Sequence, residues 1–317
     1  MPERVLETII EHLDFSSIMK LRGVCHNLKN YMDDENSDFG ITFVSIHMNS
    51  NKNELWLNFK SGAQLHVQYL KHQDGCKMVK DQKERVIENM DYCASFFQNL
   101  QMILHHQTEL LLNLTISTHT VPKQLTETLE SLITSLKVKT LLMKTTHQSQ
   151  VLKVLPFLDL SMFKELEVYE LRQSVVQELW KIDQLVQSNY WKRAEKFSSL
   201  SFYVDVPMEH FIHLNAAYFM VASVSAEEVD LLKRNFLLSS TFKYCYFGYQ
   251  HFTDQEKLLE IFGAPYITEE LNKKDQKRWY FQFPDNSVLC ILLLPGMVYF
   301  TRVGREEVPK GAIVQFS

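Results

Sequence analysis

Apolar residues recur at helical spacing near the start of the chain. Val5, Leu6, Ile9, Ile10 and Leu13 occupy positions i, i+1, i+4, i+5 and i+8, which predicts an amphipathic helix with a wide apolar stripe. The helical spacing resumes after a polar break and again after Gly23, which predicts two further short helices. Segment 1–34 is therefore expected to form a three-helix module.

The three predicted helices carry more apolar surface than they can bury against each other. A unit of this size also falls below the roughly 40 residues at which a chain usually becomes stable alone. The excess surface must be covered by the rest of this chain or by a second protein. Periodicity leaves both possibilities open.

Alternation of apolar and polar residues follows the helical module and is cleanest at 54–59 and 64–69. Residues 41–48, 54–59 and 64–69 show this alternation, which predicts three β-strands. Ser61 and Gly62 form a turn signal between the second and third strands. Segment 35–80 is expected to be a small antiparallel β-meander that connects the first module to the main body.

The main body, residues 81–303, alternates predicted helices with predicted strands. This pattern favours an α/β fold with parallel strands and one helical layer, arranged as a curved helix–strand repeat array similar to a leucine-rich-repeat horseshoe. The predicted helices are 81–106, 122–136, 149–155, 174–194 and 226–238, and the predicted strands are 110–117, 138–144, 166–171, 200–204, 218–224 and 242–249.

The end of the main body differs from its middle. Residues 277–283, 287–294 and 297–303 are predicted strands separated by tight-turn sequences, which predicts an antiparallel C-terminal meander that closes the array. Residues 304–317 have weak periodicity, so this tail is expected to be loosely held.

Composition and charge exclude several classes of partner. The formal net charge of −5 gives no electrostatic reason to expect a nucleic acid. The most apolar run, 288–300, is too short to span a bilayer and contains Pro295, so no membrane contact is expected. The cysteines are scattered without a Cys-x-x-Cys pair and no secretory leader is visible, which predicts a protein of the cytoplasm or the nucleus.

Motifs of enzyme chemistry are missing from the sequence. The glycines form no phosphate-binding loop. His210 and His213 suggest a metal-binding helix, but in zinc proteases the two histidines lie four positions apart. We therefore expect no catalytic residue, no metal and no cofactor. The alternative is a site assembled from residues without a local motif.

Trp180, Tyr190 and Trp191 are large aromatic residues in the middle of the main body. They are candidate anchors for a partner, because tryptophan and tyrosine dominate interface hot spots. Such side chains more often fill the seam between helices and strands. We expect a core position for them.

Segment 1–34 resembles the F-box motif. The shared features are a proline opening, paired aliphatic residues, a Leu-Asp break, an aliphatic-x-x-Leu helix and a Val-Cys pair followed by a bulky residue. The resemblance implies docking on a Skp-family adaptor and, through it, on a cullin of a ubiquitin ligase. The residues expected at the adaptor are Pro2, Val5, Leu6, Ile9, Leu13, Ile18, Leu21, Val24, Cys25 and Leu28.

Two positions depart from the F-box pattern. Met1 stands where the family usually has leucine, and Leu28 stands where many members have tryptophan. Both replacements are large and apolar, so the expected packing is retained. Cys25 is expected to be a buried structural thiol within this motif.

The main body resembles the FTH domain of nematode F-box proteins, and the order of the two modules matches that family. The resemblance implies a non-catalytic, substrate-recruiting ligase subunit whose FTH domain binds a protein target. The alternative is a scaffold that binds a protein with the same array without degrading it. The FTH resemblance rests on segments 152–158, 190–196, 223–229 and 236–242 and on the patterns Trp279-x-Phe-x-Phe-Pro284 and Phe300-Thr-Arg-Val303.

Overall fold

The computed structural model has a mixed α/β fold in which most regular structure is β-strand. The chain divides into two compact units, residues 1–144 with 153–163 and residues 145–152 with 164–317. We call them the first and the second unit. The structure describes residues 17, 24, 25, 27, 28, 39–80, 82–171, 179–267 and 276–316.

The first unit begins with an antiparallel meander of five strands. The predicted strands 41–48, 54–59 and 64–69 are confirmed as β1, β2 and β3, and two unpredicted strands extend the meander. Each strand pairs with the next in sequence. The strands are β1 (Ile41–Met48), β2 (Lys52–Phe59), β3 (Gln64–His72), β4 (Gly75–Lys80) and β5 (Lys83–Glu88).

The predicted helix 81–106 is wrong in its first part. Its opening residues form β5, and helix α1 (Tyr92–His105) starts only after Asp91, whose carboxylate accepts from the N–H groups of Cys93 and Ala94. Asn89 has a φ of +58° and turns the chain between the strand and the helix. Val86 fits helical spacing, yet it pairs across the sheet and is 42% exposed.

Two parallel strands complete the sheet of the first unit. β6 (Leu111–Ser117) pairs with β1, and β7 (Val138–Thr145) pairs with β6. α1 packs on one face of the meander, where the ring of Phe96 meets Tyr69 at a centroid distance of 5.5 Å. Helix α2 (Lys123–Glu130) lies between β6 and β7 in sequence.

The second unit contains the sheet on which the candidate site lies. Its strands lie in the order β16 (Val314–Gln315), β13 (Lys277–Gln282), β14 (Val288–Leu294), β15 (Met297–Val303), β12 (Tyr244–Phe252), β11 (Ala216–Val224), β10 (Lys196–Asp205) and β8 (Glu165–Glu170), and β9 (Leu179–Lys181) also pairs with β10. β8, β10, β11 and β12 are parallel, as the alternation of strands and helices predicts. The elements that follow β7 are α3 (Gln148–Val154), β8 (Glu165–Glu170), β9 (Leu179–Lys181), α4 (Asp183–Gln187), α5 (Asn189–Arg193), β10 (Lys196–Asp205), β11 (Ala216–Val224), α6 (Ala226–Leu238), β12 (Tyr244–Phe252) and α7 (Lys257–Phe262).

Predictions for the second unit succeed where an element is long and capped. Helix 226–238 is confirmed at both ends as α6, because Ser225 and Glu228 form a capping box at its start. The predicted helix 174–194 is not one continuous helix: its described part begins with strand β9 and continues as two short helices, α4 and α5. Ser188 separates the two short helices with an extended backbone of ψ 151°.

The predicted C-terminal strands are confirmed as an antiparallel meander. β13 (Lys277–Gln282), β14 (Val288–Leu294) and β15 (Met297–Val303) pair in sequence, and β15 closes onto β12. The tail expected to be loosely held contains β16 (Val314–Gln315), which pairs with β13. Sequence analysis did not predict this strand, because two residues are too few to show an alternating pattern.

Helices of the second unit pack on one face of its sheet. α5 places Trp191 against Phe197 of β10, and α7 places Phe262 against Trp279 of β13. On α6, Phe236 meets Phe300 of β15 at a centroid distance of 5.3 Å. The curved repeat array stays a prediction, and so does the three-helix module, most of which lies outside the described residues.

Candidate functional site

The N-terminal segment exposes apolar side chains at its described positions. Val24 is 68% exposed, Cys25 is exposed and Leu28 is half-buried. Ser17, Asn27 and Leu28 have helical backbone. The other expected adaptor contacts, Pro2, Val5, Leu6, Ile9, Leu13, Ile18 and Leu21, lie outside the described residues.

The exposure of Cys25 corrects one expectation. Sequence analysis predicted a buried structural thiol, but this thiol is exposed in the chain by itself. The adjacent Val24 is one of the most exposed large apolar side chains of the described part of the chain. At these two positions the chain does not cover its own apolar surface.

The histidines of the suspected metal motif have a structural role. Nε2 of His213 donates to the carbonyl oxygen of Trp191 at 2.9 Å, and Nε1 of Trp191 donates to the carbonyl oxygen of His210 at 3.0 Å. These bonds tie α5 to the loop before β11. The described residues contain no group of three or more His, Cys, Asp or Glu side chains able to hold a metal.

The two tryptophans that were considered as partner anchors lie in the core, as expected. Trp180 is 3% exposed and stacks on Phe202, while Trp191 is 2% exposed and packs against Phe197 and Phe211. Tyr190 is half-buried. None of the three forms an exposed aromatic anchor.

In the second unit, the face of the sheet opposite the helices carries a continuous row of side chains. One residue from each of seven adjacent strands lies in register along this row. We call it the tyrosine row; from β13 to β8 it consists of Arg278, Leu292, Tyr299, Tyr246, Tyr218, Ser198 and Glu167.

The three tyrosines at the centre of the row contact one another. The ring centroids of Tyr218 and Tyr246 are 6.1 Å apart in an edge arrangement, and those of Tyr246 and Tyr299 are 5.1 Å apart. Tyr244 stacks on Tyr246 at 4.9 Å. Burial, followed by the neighbouring Tyr218 and Tyr246, raises the pKa of Tyr299. All four rings are half-buried, so each keeps an accessible edge or face.

Both ends of the row carry charge. At the β8 end, the ammonium of Lys196 lies 2.8 Å from Glu167 and 3.6 Å from Glu165. At the β13 end, Arg278 donates to the neutral amide oxygen of Gln276 at 2.9 Å. The row therefore has acidic and basic side chains together at one end, aromatic rings in the middle and an arginine at the other end.

Sequence analysis predicted the strands of this face but not the row. Alternation places Tyr218 and Tyr246 on one side of their own strands. Only the register between strands brings them together, and register between distant segments has no local sequence signal. The Tyr-x-Tyr spacing of Tyr244 and Tyr246 was the available hint.

The first unit exposes a second aromatic surface. Trp56 of β2 is 43% exposed and stacks on His66 of β3 at a centroid distance of 3.6 Å. Nε2 of His66 lies 3.7 Å from a carboxylate oxygen of Glu54. This surface presents one pair of stacked rings, whereas the tyrosine row presents three tyrosine rings in contact.

Comparison with protein families decides the identity of the modules. The F-box domain matches residues 1–39, and the FTH domain matches residues 119–266. The chain is an F-box protein with an FTH domain. The FTH match covers β7 to β12 and includes Tyr218 and Tyr246 of the tyrosine row.

A curated relative matches most of the chain. The F-box/FTH chain is 20% identical over 304 residues to F-box A protein 224 of Caenorhabditis elegans. The aligned region covers 92% of this chain and 75% of the relative. No solved structure matches the chain. Within the described ranges, no helix is long and apolar enough to cross a membrane.

Proposed function

We propose that the F-box/FTH chain is the substrate-recruiting subunit of a Skp–cullin–F-box ubiquitin ligase. The observation that carries this proposal is the pair of domain matches, an F-box at 1–39 followed by an FTH domain at 119–266. F-box domains generally bind Skp1-type adaptors, and the FTH-containing body then holds a protein target. The chain itself is non-catalytic, and other subunits transfer ubiquitin.

The proposed mechanism is proximity. A target held by the second unit has its lysines at high effective concentration near the charged conjugating enzyme. No catalytic group of this chain is required for that effect. The role of the fold is to hold two binding surfaces on one polypeptide.

The proposed adaptor contact uses helix-in-groove packing. The apolar stripe of segment 1–34 enters a hydrophobic groove of the adaptor, with Pro2 setting the start of the first helix. Val24 supports this proposal, because its apolar side chain is exposed and would gain burial from a second protein. Cys25, beside it, is buried by the same partner.

Adaptor binding tests the proposal directly. Val24→Asp places a charge at an exposed position, so the fold is retained within about 0.5 kcal/mol while burial in the adaptor becomes costly. Pro2→Ala combined with Leu6→Ala removes apolar contact area. Both variants should lose co-purification with a Skp-family adaptor.

The matched control is Glu7→Ala combined with Glu11→Ala, which changes two polar positions between the apolar ones. This variant should bind the adaptor like the parent chain. Co-purification that survives both Val24→Asp and the Pro2/Leu6 double change would contradict the assignment.

A second measurement separates a ligase from a non-degradative scaffold. Proteasome inhibition, or the Pro2/Leu6 double change, should raise the abundance of a protein bound by the second unit. If the abundance stays unchanged under proteasome inhibition of the parent chain, which still binds the adaptor, the scaffold is favoured.

A further inference from the structure

We infer that Glu84 and Glu88 keep strand β5 from pairing with β5 of a second copy of this chain. β5 is the end strand of the first unit's sheet, so one of its edges has no neighbour among the described strands. The inference concerns this edge alone and goes beyond the proposed function. It assigns the two carboxylates a role in keeping the chain monomeric.

β5 presents an exposed edge that suits strand pairing. Five of its six residues are exposed and Ile87 is half-buried, so the strand is open on both of its faces. Val86 and Ile87 are β-branched, and such residues favour strands. An exposed edge of this kind is a template for pairing with another chain. The fold therefore needs a feature that prevents the pairing.

The ladder between β4 and β5 decides which backbone groups remain free. Asn89 donates its N–H to the carbonyl oxygen of Asp74 at 3.0 Å, which marks these two residues as a hydrogen-bonded pair. Hydrogen-bonded and non-hydrogen-bonded pairs alternate along an antiparallel ladder, so every second residue before Asn89 directs its backbone groups toward β4. The residues whose N–H and C=O groups point outward are Glu84, Val86 and Glu88.

One register pairs two copies of β5 along the whole outward edge. Two antiparallel strands place outward-pointing residues opposite each other, because these residues form the hydrogen-bonded pairs. The register centred on Val86 meets this condition at every outward position, and it sets Glu84 of one copy opposite Glu88 of the other. A shift by two residues in either direction loses a hydrogen-bonded pair. One of these shifts also brings the two copies of Arg85 opposite each other.

Like charges oppose each other in the centred register. Glu84 and Glu88 meet twice, with Cα atoms about 5.5 Å apart, and like charges directly opposite each other destabilise a strand pair. Within one copy, Lys77 lies 2.7 Å from Glu84. Glu88 has no ion-pair partner among the described residues. Pairing would therefore bring a second carboxylate to the Lys77–Glu84 ion pair without a second cation.

Sedimentation velocity of the full-length chain tests the inference. In Glu88→Lys, the introduced ammonium lies opposite Glu84 of the second copy, so the opposed charges attract. This variant should dimerise with a Kd at least tenfold below the value, or the lower limit, found for the parent. Glu84→Thr combined with Glu88→Thr removes the repulsion and keeps a residue that favours strands, so it should also associate more tightly than the parent.

Two controls separate pairing at β5 from an effect of net charge. Glu84→Lys combined with Glu88→Lys again places like charges opposite each other and should sediment like the parent. Glu306→Lys changes the net charge by the same amount as Glu88→Lys, at an exposed position of the second unit. It should also sediment like the parent.

A proline shows whether the association uses the edge of β5. Val86→Pro removes an outward N–H that makes no bond to β4, so β5 stays paired with β4 while its edge loses a donor for a second copy. Added to Glu88→Lys, this change should return the sedimentation to that of the parent.

Three results would overturn the inference. The first is that Glu88→Lys and the double threonine variant associate no more than the parent, which would mean that the carboxylates of β5 serve only to solvate the strand. The second is that the added association of Glu88→Lys survives Val86→Pro. The third is that the parent itself dimerises through a contact that Val86→Pro removes.

Discussion

The thioether of Met220 lies over Gly248 of the neighbouring strand, in the space that a side chain at position 248 would occupy. The two residues are directly paired on the face of the second unit's sheet that carries the tyrosine row. Glycine at this position therefore lets Met220 lie flat beside the tyrosine row. Its role is steric, since its backbone φ lies outside the left-handed region.

Two glycine substitutions should have very different costs. Gly248→Ala meets only the flexible end of Met220, so the free energy of unfolding should change by less than about 1 kcal/mol. In Gly75→Ala, the added Cβ would clash with the backbone oxygen of Ile87, and the φ of +145° is unfavourable for alanine. The free energy of unfolding should therefore fall by about 2 kcal/mol or more. Urea unfolding measures both. Equal losses would show that Met220 cannot move aside.

The start of α6 depends on its capping box. The Ser225 hydroxyl accepts from the N–H of Glu228 at 3.2 Å, and the Glu228 carboxylate accepts from the N–H of Ser225 at 2.9 Å. Ser225→Ala should therefore destabilise the chain by about 1 kcal/mol in urea unfolding. Ser223→Ala, at an exposed position of β11, should stay within about 0.5 kcal/mol of the parent. A loss of the same size in both variants would contradict a capping role.

Trp191 should behave as a core residue rather than as a partner anchor. It is buried against Phe197 and Phe211, and its indole N–H has a hydrogen-bond partner. Trp191→Ala should cost about 3–5 kcal/mol in the free energy of unfolding. Lys192→Ala, at the exposed neighbouring position, should cost less than about 0.5 kcal/mol. A stable Trp191→Ala variant with impaired partner binding would reverse this assignment.

His47 should make the stability of the first unit depend on pH. Burial, assisted by Lys144 and Lys52 and opposed by Glu54, lowers the pKa of His47 below its ordinary value. The unfolded state, with a pKa of about 6.5, therefore binds the proton more readily, and stability falls as the pH decreases through this range.

The matching variant is His47→Gln. As the pH is lowered from about 7.5 to about 5.5, the urea concentration at the midpoint of unfolding should fall less for this variant than for the parent. This interval surrounds the ordinary histidine pKa. The measurement is a series of urea unfolding curves across this interval. A decline as steep as that of the parent would mean that other groups account for the pH dependence.

Local patterns were sufficient where a segment carried its own boundaries. α6 was predicted to the residue because Ser225 caps it and its apolar positions keep one period. The strands from β6 to β15 with five or more residues were found from their apolar runs. The helix predicted at 81–106 failed because Val86 and Ile87 satisfy both a helical and a strand period, and the turn at Asn89 decided between them.

The sequence by itself determined the order of the modules, the F-box and FTH resemblances, the main strands and the apolar stripe at the N-terminus. Each of these depends on residues close together in the chain. Only the tertiary structure decided that Tyr218, Tyr246 and Tyr299 form one row and that Trp180 and Trp191 are core. The physical reason is that strand register and burial are set by packing between distant segments. No local period records that packing.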